Sequence, residues 1–330
     1  MANLSEKPRV LVTGGAGYVG SHVCKALAAA GYLPVVFDNL SRGHRSAVRW
    51  GPLEVGDIRD PAALGRALSH HRPVGALHFA AFAYVGESVT DPLSYYDNNV
   101  AGTLTLLNAL KLFQIRALVF SSTCAIFGQP GAAVISEDLP KDPINPYGRT
   151  KLMIESALTD AGKAGDLEWV ALRYFNAAGS DPDLEIGEDH DPEPHLIPRV
   201  LMAAQGRVGA LDIFGTDYPT PDGTCQRDYV HVCDLADAHV AALSRLLDGG
   251  GSGVFNLGAE RANSVLDVIA AAERVTGLGV PVRKADRRPG DPPKLVADSA
   301  RARAELGFRP RFSAIEEMVE HAWRWQSAKT

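Results

Sequence analysis

The chain has 330 residues, of which 46% are hydrophobic and 22% are charged, so it can build one large domain or two lobes around a substantial core. A net charge of −6, from 39 acidic and 33 basic residues, and the absence of any Lys/Arg block argue against a nucleic-acid partner. Residues 1–10 lack the apolar stretch of a signal peptide, and no apolar run approaches the roughly 18 residues that span a bilayer. The sequence therefore predicts a cytoplasmic protein with no membrane partner.

Short apolar runs alternate with helix-like segments through the first half of the chain. The runs are continuously hydrophobic, which is typical of strands covered on both faces. They occupy residues 9–13, 33–38, 53–57, 75–79, 117–121 and 169–173. Between them, segments such as 20–30 and 103–113 place apolar residues at helical spacing. This βαβ rhythm predicts an α/β fold with a doubly wound parallel sheet.

Three glycines follow the first predicted strand directly. Gly14 permits a tight turn, Gly17 lets the backbone approach a pyrophosphate, and Gly20 lets the next helix pack closely on the strand. Their GxxGxxG spacing departs by one residue from the common GxGxxG pattern. Asp38 lies 18 residues beyond Gly20, where a carboxylate binds the adenosine ribose and repels a 2′-phosphate, although Arg42 is near. The segment therefore predicts NAD, rather than NADP, as the cofactor.

A polar strand end and the helix beyond it predict the reactive groups. The fifth strand runs into Thr123, and Tyr147 and Lys151 follow at i and i+4 on a helix that Asn145-Pro146 would start. This spacing puts Tyr147 and Lys151 on one helix face. A cation about 5 Å from a phenol is worth roughly two pK units, so Lys151 and an oxidised nicotinamide would together lower the pKa of Tyr147 toward neutrality. Tyr147 is therefore predicted to be a general base.

The alternation of strand-like and helix-like segments ends after about residue 178. Pro, Gly and Asp crowd into residues 181–224 and 286–293, which is typical of loops at a surface or cleft. Strand character returns at 227–232 and 254–258, around a helix at about 234–247. The chain is therefore predicted to build a nucleotide-binding domain from residues 1–178 plus about 225–260, and a substrate-binding lobe from about 179–224 and 261–330.

The cysteines and one histidine cluster predict neither disulfides nor a metal. Cys24, Cys124, Cys225 and Cys233 include no CxxC pair and are expected to be reduced and mostly buried. His190 and His195 lie among four carboxylates in residues 187–195, so a metal site is conceivable there. Two prolines in this segment prevent the i, i+4 geometry that puts two ligands on one helix face. A polar loop is therefore predicted.

Seven motifs spread over nearly the whole chain carry a family resemblance. They are residues 10–22, 85–88, 95–99, 146–151, 173–176, 213–220 and 227–232. In these motifs the chain resembles the extended short-chain dehydrogenase/reductase family and, within it, the UDP-glucose (UDP-galactose) 4-epimerases; the last two motifs are specific to this branch. The resemblance implies a Rossmann-type fold with a smaller C-terminal lobe, and an NAD-dependent isomerase of galactose metabolism that epimerises UDP-hexoses at C4.

The resemblance also implies roles for individual residues. Those implied to bind NAD are Gly14, Gly17, Tyr18, Val19, Gly20, Asp38, Asn39, Asp57, Ile58, Phe79, Ala80, Asn98, Lys151 and Tyr174. Those implied to be catalytic are Thr123, Tyr147 and Lys151. Those implied to contact the UDP-sugar are Thr123, Tyr147, Asn176, His195, Leu196, Asp212, Ile213, Phe214, Arg227, Arg288, Asp291 and Leu295, with the two arginines on the diphosphate.

Four positions depart from the family pattern. Ala83 stands where many epimerases place a lysine toward the cofactor phosphates, and His195 where an asparagine is frequent. Thr123 replaces the commoner serine and keeps its hydroxyl. Leu295 replaces a tyrosine carried by epimerases restricted to UDP-glucose and UDP-galactose. The resemblance implies that this smaller residue leaves room for an N-acetyl group, and hence that UDP-N-acetylhexosamines are also substrates.

Related enzymes that dehydrate nucleotide sugars carry a carboxylate directly after the threonine, but here Cys124 and Ala125 follow. Oxidation at C4 can then most simply be followed by return of the hydride, after the 4-keto sugar has turned about its diphosphate. A pentose-specific 4-epimerase, a dehydratase and a non-catalytic NAD-sensing protein are the alternatives, and loss of Tyr147 or Lys151 would have favoured the last. The resemblance further implies a homodimer in which helices at about 92–113 and 147–161 form a four-helix bundle.

Overall fold

The computed structural model describes residues 7–132, 134–288 and 291–329. Residues 1–6, part of the N-terminus considered above, and residues 289 and 290, in the predicted loop at 286–293, lie outside the described residues. Within the described ranges, no helix combines the length and the apolar character needed to cross a membrane.

The helices and strands follow one another along the whole described chain. The helices are α1 (Tyr18–Ala29), α2 (Pro61–His71), α3 (Val85–Thr90), α4 (Pro92–Tyr95), α5 (Gly102–Leu112), α6 (Pro146–Lys163), α7 (Leu196–Ala204), α8 (Val232–Leu247), α9 (Val265–Thr276), α10 (Ala300–Leu306) and α11 (Ile315–Ala328). The strands are β1 (Arg9–Thr13), β2 (Leu33–Asp38), β3 (Leu53–Val55), β4 (Gly75–His78), β5 (Ala117–Thr123), β6 (Glu168–Tyr174), β7 (Asn176–Ala178), β8 (Leu211–Phe214), β9 (Gln226–Arg227), β10 (Tyr229–His231), β11 (Gly253–Leu257), β12 (Asn263–Ser264), β13 (Val282–Ala285) and β14 (Lys294–Leu295). A π-helical segment, Tyr96–Ala101, joins α4 to α5.

A seven-stranded sheet in the order β11-β6-β5-β4-β1-β2-β3 forms the centre of the molecule, and its neighbouring strands are all parallel. Helices cover both of its faces, which is why the strands are continuously apolar. Val10 and Val12 pack with residues of α1 and α8 on one face, whereas Leu11 packs with residues of α2, α5 and α6 on the other. The predicted doubly wound parallel sheet is confirmed.

The carboxyl ends of β1, β4 and β5 lie at one edge of this sheet and position the site. Strands β2 and β3 lie on one side of β1, whereas β4, β5 and β6 lie on the other, so the direction of winding reverses between β1 and β4. Open α/β sheets bind ligands in the crevice outside the strand ends at such a reversal. Thr13, His78 and Thr123 end the three strands beside it.

Residues beyond β6 build smaller sheets and a further core. Strand β8 pairs with β13, β9 with β12 and β14, and β10 with β7. Buried apolar side chains of α7, α9 and α11, among them Val200, Val268 and Val319, pack together. The chain also returns to the central sheet, where β11 pairs with β6 and α8 packs on α1.

The strand character predicted at 227–232 is found, but it is divided between two strands of different sheets, because the chain changes sheets at Asp228. Strand β9 ends before this residue, β10 begins after it, and α8 already starts at Val232. The buried Asp228 carboxylate accepts hydrogen bonds from the backbone N–H groups of Ala259, Glu260 and Ala297. Asp228 therefore ties together segments that are far apart in sequence, which the local strand pattern does not reveal.

Candidate active site

The glycine turn lies between β1 and α1, and its three glycines have separate reasons to be glycine. Gly14 has a φ of 74°, and a Cβ there would lie 2.5 Å from the backbone nitrogen of Ala80. A Cβ on Gly20 would lie 2.3 Å from the Gly14 oxygen, so α1 packs closely on the turn only with glycine there. At Gly17, the N-cap of α1, the nearest atom would be 3.4 Å away. A helix N-terminus with a backbone free of Cβ atoms fits the pyrophosphate of NAD.

Asp38, at the end of β2, faces this turn. Its carboxylate accepts hydrogen bonds from Ala16 N at 3.0 Å and from Leu40 N at 2.8 Å, and burial raises the pKa of Asp38. The guanidinium of Arg42, which could have attracted a 2′-phosphate, instead pairs with Glu87 at 2.5 Å. The charges at this end of the cleft therefore favour NAD over NADP.

Most of the predicted cofactor residues line a single cleft beside the turn. They are Gly14, Gly17, Asp38, Asn39, Ile58, Phe79, Ala80 and Asn98. Asp57 joins them through Asn39, whose amide donates to the Asp57 carboxylate at 2.9 Å. Val19 packs against the core, and the Tyr18 hydroxyl donates to the Gly179 carbonyl at 2.6 Å. Residues of the cleft that the sequence reasoning missed are Phe37, Ser41, Gly43, Gly56, Ala81 and Phe82, of which Ser41 and Gly43 could have been found from their nearness to Asp38.

The predicted catalytic residues meet at the end of β5. Asn145 caps α6 by accepting a hydrogen bond from Gly148 N at 2.8 Å, as the Asn-Pro pair predicts. This helix start brings Tyr147 within hydrogen-bonding reach of Thr123. Lys151 lies one turn further along, with its Nζ 5.9 Å from the centre of the Tyr147 ring, and donates to the Ser121 carbonyl at 2.7 Å. Thr123, Tyr147 and Lys151 therefore form one cluster.

Burial determines the acid–base properties of this cluster. It lowers the pKa of Lys151 to about 7, with Glu155 acting in the opposite direction. It also raises the pKa of Tyr147 well above its ordinary value, although the hydrogen bond with Thr123 works to lower it. The lowering that the sequence predicts from Lys151 is therefore not found with Lys151 alone, because desolvation of the phenol outweighs it.

A buried polar network behind the cluster was missed at the sequence level. Glu155 accepts from Ser122 Oγ at 2.6 Å and pairs with Arg173 at 2.6 Å, and both charged side chains are almost fully buried. Tyr174 hydrogen-bonds Ser121 through its hydroxyl at 2.5 Å. The signal was present in the sequence, because Glu155 follows Lys151 at i+4 and so shares its helix face.

Several predicted sugar-nucleotide residues lie on the opposite side of the cleft. Arg227 donates to the carbonyls of Gln226 and Pro292, at 2.8 and 2.9 Å, and pairs with Asp291. The guanidinium of Arg288 lies 3.9 Å from the centre of the Phe214 ring. Leu295 faces Arg227 in the β9–β14 register and packs against the cluster that contains Cys124, next to Thr123. Asn176 donates to the Asp228 carbonyl at 3.0 Å.

Other predicted substrate residues already have protein partners. The side chain of Ile213 is buried in the core formed by α7, α9 and α11, and its backbone pairs with β13, so the predicted contact of Ile213 with a ligand is not supported. The Asp212 carboxylate pairs with Arg283 at 2.6 Å. Leu196 starts α7 and packs against the same core as Ile213. His195 turns its Nδ1 toward Glu188, at 2.7 Å.

The segment 187–195 is a loop, yet it brings its histidines and glutamates together. One ligand atom from each of Glu188, His190, Glu193 and His195 lies within 4.8 Å of the others. The predicted polar loop is present, but the loop path brings the four side chains together without the helical i, i+4 spacing. Burial would lower the pKa of His195, but Glu188 and Glu193 beside it raise it to about 10.

Known proteins resemble this chain over nearly its whole length. Residues 10–258 match the NAD dependent epimerase/dehydratase family. A UDP-glucose 4-epimerase of Rhizobium leguminosarum bv. trifolii is 53% identical, with 96% of this chain and 97% of that protein covered. The crystal structure of UDP-glucose 4-epimerase from Brucella ovis in complex with NAD is 52% identical, with a TM-score of 0.94 over 96% of this chain and 98% of that one.

A third relative carries a nucleotide sugar. The structure of UDP-glucose-4-epimerase from Stenotrophomonas maltophila, with bound NAD and formylated UDP-arabinopyranose, is 39% identical, with a TM-score of 0.94 over 98% of each chain. The predicted NAD cofactor and the predicted NAD-dependent 4-epimerisation of UDP-hexoses are confirmed. The chain belongs to the NAD dependent epimerase/dehydratase family and, within it, to the UDP-glucose 4-epimerases.

Proposed function

We propose that Thr123, Tyr147 and Lys151 are the catalytic residues of this 4-epimerisation. The observation that carries the proposal is that the three residues meet at the carboxyl end of β5. There the first two turns of α6 bring a half-buried tyrosine and a buried lysine to a threonine hydroxyl. A phenol, an ammonium and a hydroxyl in one water-poor site can move a proton at a sugar hydroxyl.

Each of the three side chains has its own task in the reaction. Tyr147 accepts the proton of the sugar O4 and later returns it, while the Thr123 hydroxyl holds that oxygen. Lys151 stabilises the phenolate by its charge and contacts the cofactor ribose. When bound, NAD takes up the hydride of C4 and gives it back to the opposite face of the sugar. Cys124 and Ala125 supply no carboxylate for loss of water.

The opposite side of the cleft anchors the nucleotide. Arg227 and Arg288 bind the diphosphate with their guanidinium groups, and Arg227 then exchanges its pairing with Asp291 for the more highly charged phosphate. The remaining contacts come from Asn176, His195, Leu196, Asp212, Phe214, Asp291 and Leu295. Firm anchoring of the nucleotide lets the keto sugar turn without leaving the site.

NAD lies along the glycine turn. Gly14, Gly17 and the first turn of α1 bind its pyrophosphate, with Tyr18, Val19 and Gly20 shaping that turn. Asp38 and Asn39 bind the adenosine ribose. The adenine and nicotinamide ends are lined by Asp57, Ile58, Phe79, Ala80, Asn98 and Tyr174. The support for this arrangement is the cleft that most of these residues share.

Incubation of the purified chain with UDP-galactose, UDP-N-acetylgalactosamine and UDP-arabinose, followed by separation of the products, tests the function directly. We expect UDP-glucose from UDP-galactose without added NAD, because the cycle returns its hydride. Absorbance of bound NADH on addition of substrate separates an epimerase from an NAD sensor. Absence of both product and NADH would refute catalysis.

We further propose that UDP-N-acetylhexosamines are substrates. Leu295 lies across from Arg227 and packs next to the residues that follow Thr123, which places it between the proposed diphosphate and sugar positions. A leucine leaves more room there than a tyrosine. Formation of UDP-N-acetylglucosamine from UDP-N-acetylgalactosamine supports this breadth, whereas activity on UDP-galactose alone refutes it.

A homodimer is also part of the proposal. The helical segment 92–112 and α6 are neighbours, and they expose apolar side chains of Leu93, Leu104, Leu112 and Met153. Two copies could bury these in a four-helix bundle. Light scattering after size exclusion should give twice the chain mass, and Leu104→Glu with Met153→Glu should give monomers. The control Leu247→Glu, an exposed residue at the C-terminal end of α8, should leave the dimer intact.

We also propose that the chain forms two domains and that the protein is cytoplasmic. Residues up to 178 and about 225–260 form the NAD-binding domain, because β11 pairs with β6 and α8 packs on α1. The remainder forms the substrate lobe, with its own core around α7, α9 and α11, although Ala302 of α10 packs against the NAD-binding domain. A cytoplasmic location is supported by the four cysteines, all free and three of them buried.

A further inference from the structure

The loop before α7 carries a cluster of which the proposed function uses only His195. Its members are Glu188, His190, Glu193 and His195, called here the His–Glu cluster. The Nδ1 atom of His195 lies 2.7 Å from an oxygen of Glu188 and 2.9 Å from one of Glu193. The Nδ1 atom of His190 lies 3.1 Å from the same Glu188 oxygen and 3.5 Å from Glu193. Both rings therefore point the same nitrogen at the same two carboxylates.

These distances match the edges of a metal coordination shell. Four ligands about 2.0–2.1 Å from a tetrahedral ion are roughly 3.3 Å from one another. The four measured separations, from 2.7 to 3.5 Å, lie on both sides of that value. The two separations to Glu193 involve its two different oxygens, and one ligand atom from each of the four side chains lies within 4.8 Å of the others, so a small ion at the centre requires the cluster to contract around it.

Two buried atoms of the His–Glu cluster have no hydrogen-bond partner among the described residues. Among the residues that the structure describes, neither Glu188 Oε1 nor His190 Nδ1 has a partner in hydrogen-bonding geometry, and both atoms are buried. The Glu188 side chain is only 7% exposed, and the unpartnered oxygen is directed at the two Nδ1 atoms. A buried carboxylate oxygen and a buried imidazole nitrogen without hydrogen bonds are costly unless an ion satisfies them.

We propose that Glu188, His190, Glu193 and His195 bind one Zn²⁺ ion. Two imidazoles and two carboxylates suit this ion, and the charges of a divalent cation and two carboxylates cancel. Imidazole ligands disfavour Mg²⁺ and Ca²⁺, which take oxygen ligands. The backbone N–H of His195 donates to Glu193 at 2.8 Å and so fixes the orientation of one ligand.

The ion would fasten the loop over the glycine turn. The rings of Tyr18 and Tyr84 meet the His190 ring edge-on, at 6.1 and 5.8 Å between centres, and Trp325 donates to the Glu188 carbonyl at 3.0 Å. With its Nδ1 on the ion, His195 keeps Nε2 for the cleft in a fixed tautomer. This last consequence rests on the proposed function, whereas the ion site itself does not.

Metal analysis of the full-length chain, purified with its bound cofactor but without a histidine tag or chelator, tests the site. We expect about one Zn²⁺ per chain after dialysis. Protein stripped by a chelator should bind added Zn²⁺ again, and added Co²⁺ should give the intense visible bands of a tetrahedral site. Absence of stoichiometric zinc together with absence of Co²⁺ bands would overturn the proposal, as would binding of Mg²⁺ or Ca²⁺ instead.

Two variants locate the ion. His190→Gln and Glu193→Gln should each weaken Zn²⁺ binding by about 100-fold or more, and Zn²⁺ should no longer raise their melting temperature. The control is Asp183→Asn, in the group of three carboxylates around Lys25, which should bind zinc like the wild type. Retention of zinc by both cluster variants, or its loss in Asp183→Asn, would overturn the assignment. These readouts do not depend on activity, so failure of the proposed catalytic roles is recorded separately.

Discussion

The charged side chains near Tyr147 and those near Arg227 differ in their partners. On the side of Tyr147, the buried Lys151 ammonium contacts a backbone carbonyl, and the nearby carboxylate of Glu155 is paired with Arg173. On the side of Arg227, ionic groups meet opposite charges, as in Arg227–Asp291 and Asp212–Arg283. The pKa of Lys151 follows from the first of these environments, because burial lowers it to about 7.

This contrast matches the two tasks of the site. A proton-transfer group works best when its protonation state changes easily near neutral pH, which burial without a counter-ion provides. A group that binds a charged ligand is better kept charged and in place by a partner that the ligand can replace. The side of Tyr147 is thus suited to chemistry and the side of Arg227 to binding.

The largest effect is expected from Tyr147→Phe, which removes the proposed general base and keeps the ring. Turnover should fall at least about 100-fold, while fold and bound NAD are retained. Steady-state kinetics with UDP-galactose measure the change. Tyr32→Phe, just before β2 at the other end of the sheet, is the matched control. Near-normal turnover of Tyr147→Phe would remove Tyr147 from the mechanism.

The next largest effect is expected from Thr123→Val, with a loss of roughly 10- to 100-fold in kcat. The variant side chain keeps its shape but loses the hydroxyl that interacts with Tyr147 by hydrogen bonding. The same assay, with Thr276→Val at the end of α9 as control, measures it. A harmless Thr123→Val would mean that Thr123 serves packing alone.

Arg227→Met tests the binding side. We expect KM for UDP-galactose to rise about 10- to 100-fold with a smaller change in kcat, because the proposed contact of Arg227 with the diphosphate exists both before and during the reaction. Arg301→Met, an exposed arginine paired with Glu305, should leave both constants unchanged. A fall in kcat at constant KM would contradict the division of tasks between the two sides.

Leu295→Tyr should act selectively. Turnover of UDP-N-acetylgalactosamine should fall about 10-fold relative to UDP-galactose, since pocket discrimination over a few carbons is worth roughly 1–3 kcal/mol. The ratio of kcat/KM for the two substrates in one preparation provides its own control. An equal loss for both substrates would show that Leu295 does not discriminate between them.

Lys151→Met should stabilise the cofactor-free protein by an amount on the order of 1–3 kcal/mol at neutral pH. Burial lowers the pKa of Lys151 from 10.5 to about 7, so between these values the unfolded chain binds a proton that the folded chain does not. The advantage of the variant should therefore grow as pH falls from about 10.5 to 7 and stay constant below. Urea unfolding at several pH values measures it, with the exposed Lys111→Met as control. A pH-independent difference would contradict the lowered pKa.

The sequence by itself determined the features that repeat locally. Continuous apolar runs predicted the central strands, and the glycine turn, Asp38 and the Tyr147–Lys151 spacing predicted the cofactor cleft and the catalytic cluster. The strands, the glycine turn and the placement of Tyr147 and Lys151 on one helix face are found in the structure, because a strand, a tight turn and an i, i+4 pair depend on residues close in sequence.

Only the tertiary structure decided which groups meet across long separations. The change of sheet at Asp228, the pairing of Arg227 with Asp291 and the burial that raises the pKa of Tyr147 all depend on contacts between distant segments. The His–Glu cluster shows the same limit at short range, because its four ligands converge through a loop path that no helical or strand period describes. Local pattern specifies secondary structure, whereas desolvation and charge pairing are properties of the packed chain.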